Sequence, residues 1–434
     1  MTLRILLVSD HFPPFLGGAH RQSYLLSQQL AQRGHEVTVV TSWQPEAPKQ
    51  EVDGNVTIYR LKELRTLVPA MVRDRHQRHH PPYPDPAVVW QLRRLINRLQ
   101  PDIVHSHGWF GYSCAAALMG KDIPLVLSTR DYGYGCATRT LLQNDELCDG
   151  PALAKCMACA SKFYGPTRGV LSTVGVLGSR PLLRAKVKGV HSVSAFVQEM
   201  VRRDLLAGKA NFEDRGGQVA AQPIFSFLIE EEGTPNEAQL AQLPSEPFIL
   251  FVGGLQPRKG VTTLLDAYAQ LAQAPLANLP PLVLIGYVAP DSPTEFPDGV
   301  TVIRDASHPT VMAAWERAAF GVMPSLWPDP SPGVVREGMS KGKAMIGTNL
   351  GGTPEMIVNG RNGLLVPPDD VSALATAMQR LIEEPTLCAQ MGETAQRDAE
   401  VFLAKVSVPR FEQLYQRVLK RTTTANMALQ REAL

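Results

Sequence analysis

Twice in this chain an uninterrupted apolar run ends in a glycine-bearing turn and is followed by a segment of helical length. The first is Arg4-Ile-Leu-Leu-Val-Ser9, then Pro13, Pro14, Gly17 and Gly18, then Ala19 to Gln32. The second is Pro247-Phe-Ile-Leu-Phe-Val252, then Gly253, Gly254 and Gly260, then Thr262 to Gln273. A strand without polar alternation is covered on both faces, the condition of a strand inside a parallel sheet. Parallel neighbours need crossover connections, so each run begins a βαβ unit. Gly34 ends the first helix, and His35-Glu-Val-Thr-Val-Val-Thr41 supplies the next strand.

The same rhythm continues in both halves. Strands are expected at 56–60, 103–105 and 125–129, with a helix over 86–99; in the second half they fall at 282–285, 320–323, 344–348 and 363–366. Helices are expected over 371–384 and 408–421. Residues 207–246 break the pattern with Gly, Gln, Pro and Glu and mark the hinge region. At 434 residues the chain is too long for one ordinary core. The expected fold class is α/β with two doubly wound, Rossmann-like domains facing each other across a ligand cleft. The boundaries are an N-terminal domain over 1–222 with a cysteine-rich loop at 130–165, a C-terminal domain over 223–409, and a returning helix and polar tail over 410–434.

Charge is unevenly spread. Residues 1–222 hold 27 Lys and Arg against 18 Asp and Glu, a balance of +9; the remainder holds 16 against 23, a balance of −7. Arg73, Arg75, Arg78, His79 and His80 form the densest basic cluster. A basic half fits an anionic membrane surface or a phosphorylated lipid, and equally a solvated loop. No nucleic-acid-binding motif accompanies it, so nucleic acid is not an expected partner. No apolar run approaches the roughly 20 residues that span a bilayer, and the N-terminal apolar stretch is shorter than a secretory signal. The expectation is a cytoplasmic protein with peripheral contact at the inner face of the membrane.

The chemistry gathers in the second half. Phe251-Val-Gly-Gly-Leu-Gln-Pro-Arg-Lys-Gly260 lies between a strand and a helix, where glycines let backbone N–H groups approach a phosphate and Arg258 and Lys259 add cations. Pro324-Ser-Leu-Trp-Pro-Asp-Pro-Ser-Pro-Gly-Val-Val-Arg-Glu-Gly-Met339 places Asp329 in a proline-rich loop and Glu337 about one turn into a helix beginning near Gly333. An acid there can accept from ribose hydroxyls, while the first-turn N–H groups near Gly333 and Val334 remain available to phosphate. Thr348-Asn-Leu-Gly-Gly-Thr-Pro-Glu355 follows.

Taken in order, Gly-Gly-Leu-x-Pro-Arg-Lys-Gly, Pro-Asp-Pro-x7-Glu-Gly-Met and Gly-Gly-Thr-Pro-Glu resemble glycosyltransferase family 4, retaining enzymes of GT-B fold. Phe12-Pro-Pro-Phe-Leu-Gly-Gly18 and Pro101-Asp-Ile-Val-His-Ser-His107 resemble the family in the first half, so the likeness covers residues 3 to 420. It implies a site in which Glu337 binds the donor ribose, Asp329 contacts hydroxyls of the transferred sugar and Lys259 neutralises the diphosphate. His107 then sits over the donor sugar, and Gly17 and Gly18 line the cleft near the phosphates. Two departures stand out. Gly254 replaces the usual arginine of the phosphate loop, with Arg258 as a substitute charge, and Asp329 is one methylene shorter than the usual glutamate of the Glu-x7-Glu motif.

The resemblance implies transfer from a UDP-, GDP- or ADP-sugar to a hydroxyl of a glycan, lipid-linked or small-molecule acceptor, by front-face transfer and with no catalytic cofactor. No Asp-x-Asp sequence occurs, so a catalytic divalent ion is not expected. The alternatives are a sugar-nucleotide epimerase of the same fold and a non-catalytic sugar-nucleotide-binding protein. Separately, Cys136, Cys148, Cys156 and Cys159 fall within one short stretch. Four thiolates suit a structural zinc ion, with reduced thiols as the alternative. Cys114 and Cys388 are expected as buried singles. Gly133-Tyr-Gly135 lacks the third glycine of a dinucleotide fingerprint.

Overall fold

The computed structural model describes residues 2–14, 18–67, 80–206, 219–228, 233–274, 276 and 278–432. It divides into two compact units: Met1–Phe225 with Ser407–Leu434, and Ser226–Val406. Gly17, Arg73, Arg75, Arg78 and His79 lie outside the described residues.

The N-terminal unit begins with β1 (Arg4–Ser9), α1 (Gly18–Gln32), β2 (Glu36–Ser42), β3 (Gln50–Asp53), β4 (Val56–Leu61) and α2 (Leu64–Leu67). It continues with α3 (Pro86–Leu99), β5 (Ile103–His107), α4 (Phe110–Ala117), β6 (Leu125–Thr129) and the small strands β7 (Leu142–Gln143) and β8 (Glu146–Leu147). Then come α5 (Leu153–Tyr164), α6 (Pro166–Lys186), β9 (Val187–Ser192), α7 (Ala195–Asp204) and β10 (Ala220–Pro223). The main sheet runs β10-β9-β6-β5-β1-β2-β4-β3, parallel throughout except the antiparallel edge pair β3–β4. The order reverses at β1, which lies between β5 and β2. Crevices for ligands open at such switch points, beyond the carboxyl ends of the strands.

The C-terminal unit contains α8 (Glu237–Leu240), β11 (Phe248–Val252), α9 (Val261–Ala272), β12 (Leu282–Gly286), β13 (Val300–Arg304), α10 (His308–Arg317), β14 (Ala318–Met323) and α11 (Gly333–Ser340). β15 (Met345–Thr348), β16 (Gly363–Val366), α12 (Val371–Glu383) and α13 (Pro385–Asp398) complete it. Its sheet is wholly parallel in the order β13-β12-β11-β14-β15-β16, so β11 and β14 flank the switch point. β11 is central and apolar along its length, as its sequence requires. Leu264, Tyr268 and Leu271 of α9 and Leu374, Met378 and Leu381 of α12 pack in the core on this sheet. The two units make the fold a two-domain Rossmann-like GT-B arrangement.

The last helix, α14 (Ala404–Glu432), is fixed to the N-terminal unit. Glu412 accepts from Arg33 Nε at 2.7 Å and contacts His35 Nε2 at 3.1 Å. Tyr415 OH meets His105 Nδ1 at 2.7 Å, and Gly189 of β9 leaves room for Val418.

Two expectations need correction. His80 is fully buried, with Nε2 3.0 Å from Ser113 Oγ, so it belongs to the core and not to an exposed basic cluster. The segment 130–165 is no simple loop, since it contains the β7–β8 pair and the whole of α5. Leu153, Ala154, Met157, Ala158 and Ala160 make that part a competent helix, which the glycines and cysteines around it disguised.

Candidate active site

In the C-terminal unit three loops meet at the carboxyl ends of β11 and β14. Gly253 has φ +153° and Gly260 has φ +75°, conformations that suit glycine. A Cβ on Gly260 would collide with the carbonyl oxygen of Pro324, so this glycine lets the two loops touch. Leu326 N donates to Arg258 O at 3.0 Å, joining the same loops.

That contact carries Lys259 to Asp329. Lys259 Nζ donates to Asp329 Oδ2 at 2.8 Å and stands 4.9 Å from the centre of the Trp327 ring. Their side chains are 25% and 13% exposed, so the pair is partly shielded yet open to a ligand. The other carboxylate oxygen, Oδ1, accepts from Ser331 N at 3.3 Å. The Gly-Gly-Thr-Pro-Glu segment buttresses this loop. Gly352 N donates to Asp329 O at 2.8 Å, and Gly351, at φ +63°, would bring a Cβ within 2.5 Å of the same oxygen.

α11 begins at Gly333 behind Pro332, and no side chain caps it. Its first-turn N–H groups therefore present positive potential beside the Lys259–Asp329 pair, with Gly333 and Val334 at the end of the helix. Glu337 lies one turn in. Its Oε1 is 3.7 Å from where a Gly333 Cβ would stand and 3.5 Å from His308 Nε2. Arg336 is buried and donates from Nη1 to Ser331 O at 2.9 Å and to Ser331 Oγ at 2.8 Å. Burial pulls its guanidinium down to about 10, and the carboxylates of Glu337 and Asp329 oppose that fall. It holds the proline-rich loop against α11 without entering the exposed site.

The two cations of the phosphate loop part company. Arg258 is exposed and its Nε donates to Gln256 Oε1 at 3.1 Å, an oxygen that also accepts from Tyr287 OH at 3.1 Å. Gly254 lies under that tyrosine, whose ring would approach a Cβ to 2.5 Å. Tyr287 thus fills the space that an arginine at position 254 would need, so the departure at Gly254 is matched by a neighbour.

The N-terminal unit has its own concavity, of about 420 Å³, at the ends of β1, β5 and β6. Ser9, Asp10, His107, Gly108, Arg130 and Arg139 are among its lining residues. His107 is 5% exposed at the end of β5. Gly108, at φ +64°, would place a Cβ 2.9 Å from Asp10 Oδ2. Tyr134 OH donates to Gly108 O, and Trp109 Nε1 donates to Gly133 O at 2.8 Å. Arg139 pairs with Asp131 and lies 5.3 Å from the Trp109 ring centre.

Beneath His107 runs a buried chain: Tyr415 OH, His105, Ser128 Oγ at 2.8 Å, His191 at 2.7 Å and Ile224 O at 2.9 Å. Burial drives His105 down to about 3 and His191 well below its usual value, and the positive charge of Arg130 pushes both the same way. Both rings are neutral at physiological pH, so they orient the β5 end and do not act as proton donors.

Cys136, Cys148, Cys156 and Cys159 line one pocket of about 280 Å³ in the same unit. All four are free thiols. Burial raises Cys156 and Cys159, and the nearness of the other cysteines adds to it. Among the described residues no group of three or more His, Cys, Asp or Glu side chains is set to hold a metal ion. The thiols instead turn to local partners, such as Thr138 Oγ1 for Cys136 at 3.1 Å and Gly150 O for Cys148 at 3.4 Å. Cys114 is buried, whereas Cys388 is partly exposed.

Comparison with known proteins decides the family. Residues 16–208 match the model of Glycosyltransferase Family 4, and residues 246–384 match that of Glycosyl transferases group 1. The chain belongs to the family 4 glycosyltransferases. It is 26% identical to a D-inositol 3-phosphate glycosyltransferase of Rhodococcus jostii, over 92% of this chain and 86% of that one. An exopolysaccharide phosphotransferase of Streptomyces coelicolor is 33% identical over 125 residues, which is 29% of this glycosyltransferase and only 13% of the relative. Among solved structures, the sucrose-phosphate synthase of Thermosynechococcus elongatus superposes with a TM-score of 0.68 at 20% identity, covering 96% of this chain and 99% of that one. Anabaena HepE in complex with UDP gives 0.61 at 18% identity, covering 95% and 99%.

The structure brings Lys259, Asp329, Gly333, Val334 and Glu337 of this glycosyltransferase together, places Gly254 on the same loop, and turns Arg258 toward Gln256. His107 lies on the N-terminal unit, and Gly18 opens α1. Sequence reasoning missed His308, Arg336, Tyr287 and the Asp131–Arg139 pair. None of these sits inside a motif with a readable role except Arg336, whose place directly before Glu337 was the available signal.

Proposed function

We propose that this enzyme transfers a sugar from a nucleoside-diphosphate donor to an acceptor hydroxyl with retention of configuration. The observation that carries the reading is the Lys259–Asp329 pair beside the uncapped start of α11, with Glu337 one turn in. Lys259 and the α11 N–H groups take the diphosphate, Glu337 takes the ribose and Asp329 takes hydroxyls of the transferred sugar. His107, on the N-terminal unit, contributes to the sugar. The positive potential at Lys259 and α11 meets the charge that develops on the departing diphosphate, so the reading assigns the reaction no catalytic metal. Asp329 is already engaged by Lys259 and Ser331, which suits front-face transfer, where the leaving phosphate deprotonates the acceptor and no carboxylate acts as nucleophile.

UDP-sugars are the first donors to try, because HepE was solved with UDP. GDP- and ADP-sugars follow. The acceptor is a glycan, a lipid-linked glycan or a small molecule; the Rhodococcus relative acts, by its name, on inositol 3-phosphate. Among the described residues no helix is long and apolar enough to cross a membrane. The reading includes a cytoplasmic location with peripheral contact at the inner membrane face. It also includes a structural zinc ion in the four-cysteine pocket, to which the thiols would turn by side-chain rotation.

Thermal shift with UDP-, GDP-, ADP- and dTDP-glucose tests the donor site. A donor at 100 times its dissociation constant should stabilise the protein by about 2.7 kcal/mol. NMR of the product's anomeric proton then tests retention, and turnover without acceptor would instead indicate epimerisation. Equal binding and turnover in Glu337→Ala and the parent protein would reject the site.

A further inference from the structure

The α5–α6 pair has an apolar face that none of the described residues covers. α6 packs inward through Gly169, where a Cβ would collide with the backbone of Ala160 and Ser161, and through Gly175, where a Cβ would stand 3.0 Å from Pro82 O and the Tyr83 ring. Thr173, Val176 and Leu183 continue that buried face. On the opposite side Leu171 is 56% and Val174 52% exposed, with Val170 beside them. Phe163 of α5 is 56% exposed at the same end of the hairpin. A helix apolar on both faces is covered on both faces in its working state.

The charge around this face is one-sided. From Gly150 to Gln198 the sequence has seven Lys and Arg and no Asp or Glu. Arg180 is turned inward to Gly135 O and Lys155 is paired with Asp149, but Lys162 and Arg168 are exposed next to Phe163 and Leu171. An exposed apolar face on two helices that carry cations and no acid of their own is complementary to an anionic lipid surface, where the apolar side chains enter the acyl boundary and the cations meet headgroup phosphates.

We infer that the α5–α6 face docks this glycosyltransferase on an anionic membrane surface, through Phe163, Val170, Leu171 and Val174 with Lys162 and Arg168 at the rim. This deepens the peripheral contact included in the reading above and rests on it. It moves that contact from the residues around Arg73 to a helical hairpin in the same chain.

The test is flotation of the full-length protein with vesicles of phosphatidylcholine alone or mixed with phosphatidylglycerol, without any sugar donor. Binding is expected only to the mixed vesicles, weakening as salt rises. Leu171→Glu/Val174→Glu should lower partitioning by more than about tenfold, and Lys162→Gln/Arg168→Gln by about tenfold. Leu171→Ser/Val174→Ser, with unchanged melting, guards against misfolding and should show the same loss. Donor-induced thermal shifts of these variants should match the parent protein, since none of the residues touches the donor site. Failure of every donor to stabilise the protein while vesicle binding persists would remove the transfer reading and leave this surface standing. Absence of vesicle binding, or undiminished binding in any of the three double variants, overturns the proposal. So does self-association of the parent protein that the glutamates abolish, which would assign the face to a second copy.

Discussion

Replacing Lys259 with Met separates the chemical role of the lysine from its structural one. Methionine keeps an unbranched stem against Trp327 but removes the charge that Asp329 faces at 2.8 Å. An exposed ion pair contributes roughly 0.2–1 kcal/mol, and breaking a fully buried one costs about 3–5 kcal/mol. With side chains 25% and 13% exposed the pair lies between, so Lys259→Met should destabilise the C-terminal unit by about 1.5–2 kcal/mol. Adding Asp329→Asn removes the stranded carboxylate and should recover most of that loss. Activity should behave differently. A cation aimed at charge that develops in the transition state is worth about 10²–10³-fold in rate, so both Lys259→Met and the double variant should lose that much in kcat/KM. Urea unfolding and initial rates with a UDP-sugar measure the two quantities. If activity returns together with stability in the double variant, the pair is only a structural brace and the leaving-group role fails. If Lys259→Met stays within about threefold of the parent rate, the role fails more directly.

Gly351→Ala should destabilise the protein by about 2–3 kcal/mol, seen as a lower urea midpoint, because it joins left-handed strain to a Cβ 2.5 Å from Asp329 O. It should also raise KM for the donor, since it displaces the loop that carries Asp329. His191 is held neutral by burial, so the unfolded chain takes up protons below about pH 6.5 while the folded one does not. Stability from this group is therefore present above pH 6.5 and declines by about 1.4 kcal/mol per unit as pH falls. Melting temperatures from pH 7 to 5 should fall less steeply in His191→Gln, whereas parallel curves would show that the ring is charged in the fold. Zinc measured on protein purified without chelator should approach one equivalent per chain and drop in Cys156→Ser. Equal, trace zinc in both would leave the four cysteines as reduced thiols.

The strand and helix order was readable because buried parallel strands are written as unbroken apolar runs, as in Phe248–Val252 and Leu125–Thr129. β13 escaped because Val300 and Thr301 are only half buried and resemble a loop after Pro297 and Gly299. The residues proposed to take the donor could be singled out because Lys259, Asp329 and Glu337 carry spacing imposed by a strand–turn–helix path. Their supports could not. Gly260 and Gly351 act across loops distant in sequence, Arg336 folds back on Ser331 of its own loop, and His308 reaches Glu337 from another helix. The basic cluster misled through His80, since histidine counts as polar in a sequence yet here satisfies Ser113 inside the core.

Departures from the expected pattern are local exchanges, and they do not weaken the site uniformly. At Gly254 a lost arginine coincides with Tyr287 occupying its space, and the remaining cation, Arg258, is drawn to the same Gln256 that the tyrosine holds. At Asp329 the shorter carboxylate still meets Lys259, because Gly260 lets the two loops close to contact. On the N-terminal unit the single excursion between β6 and β9 carries Asp131 and Arg139 of the concavity, all four clustered cysteines and the exposed α5–α6 face. A donor site can vary only within what a nucleoside diphosphate tolerates, whereas an excursion outside the sheet can change without disturbing strand pairing. What distinguishes this enzyme's acceptor should therefore be sought in residues 130–186, and exchanging that segment for another family member's should alter acceptor choice while leaving donor-induced stabilisation unchanged.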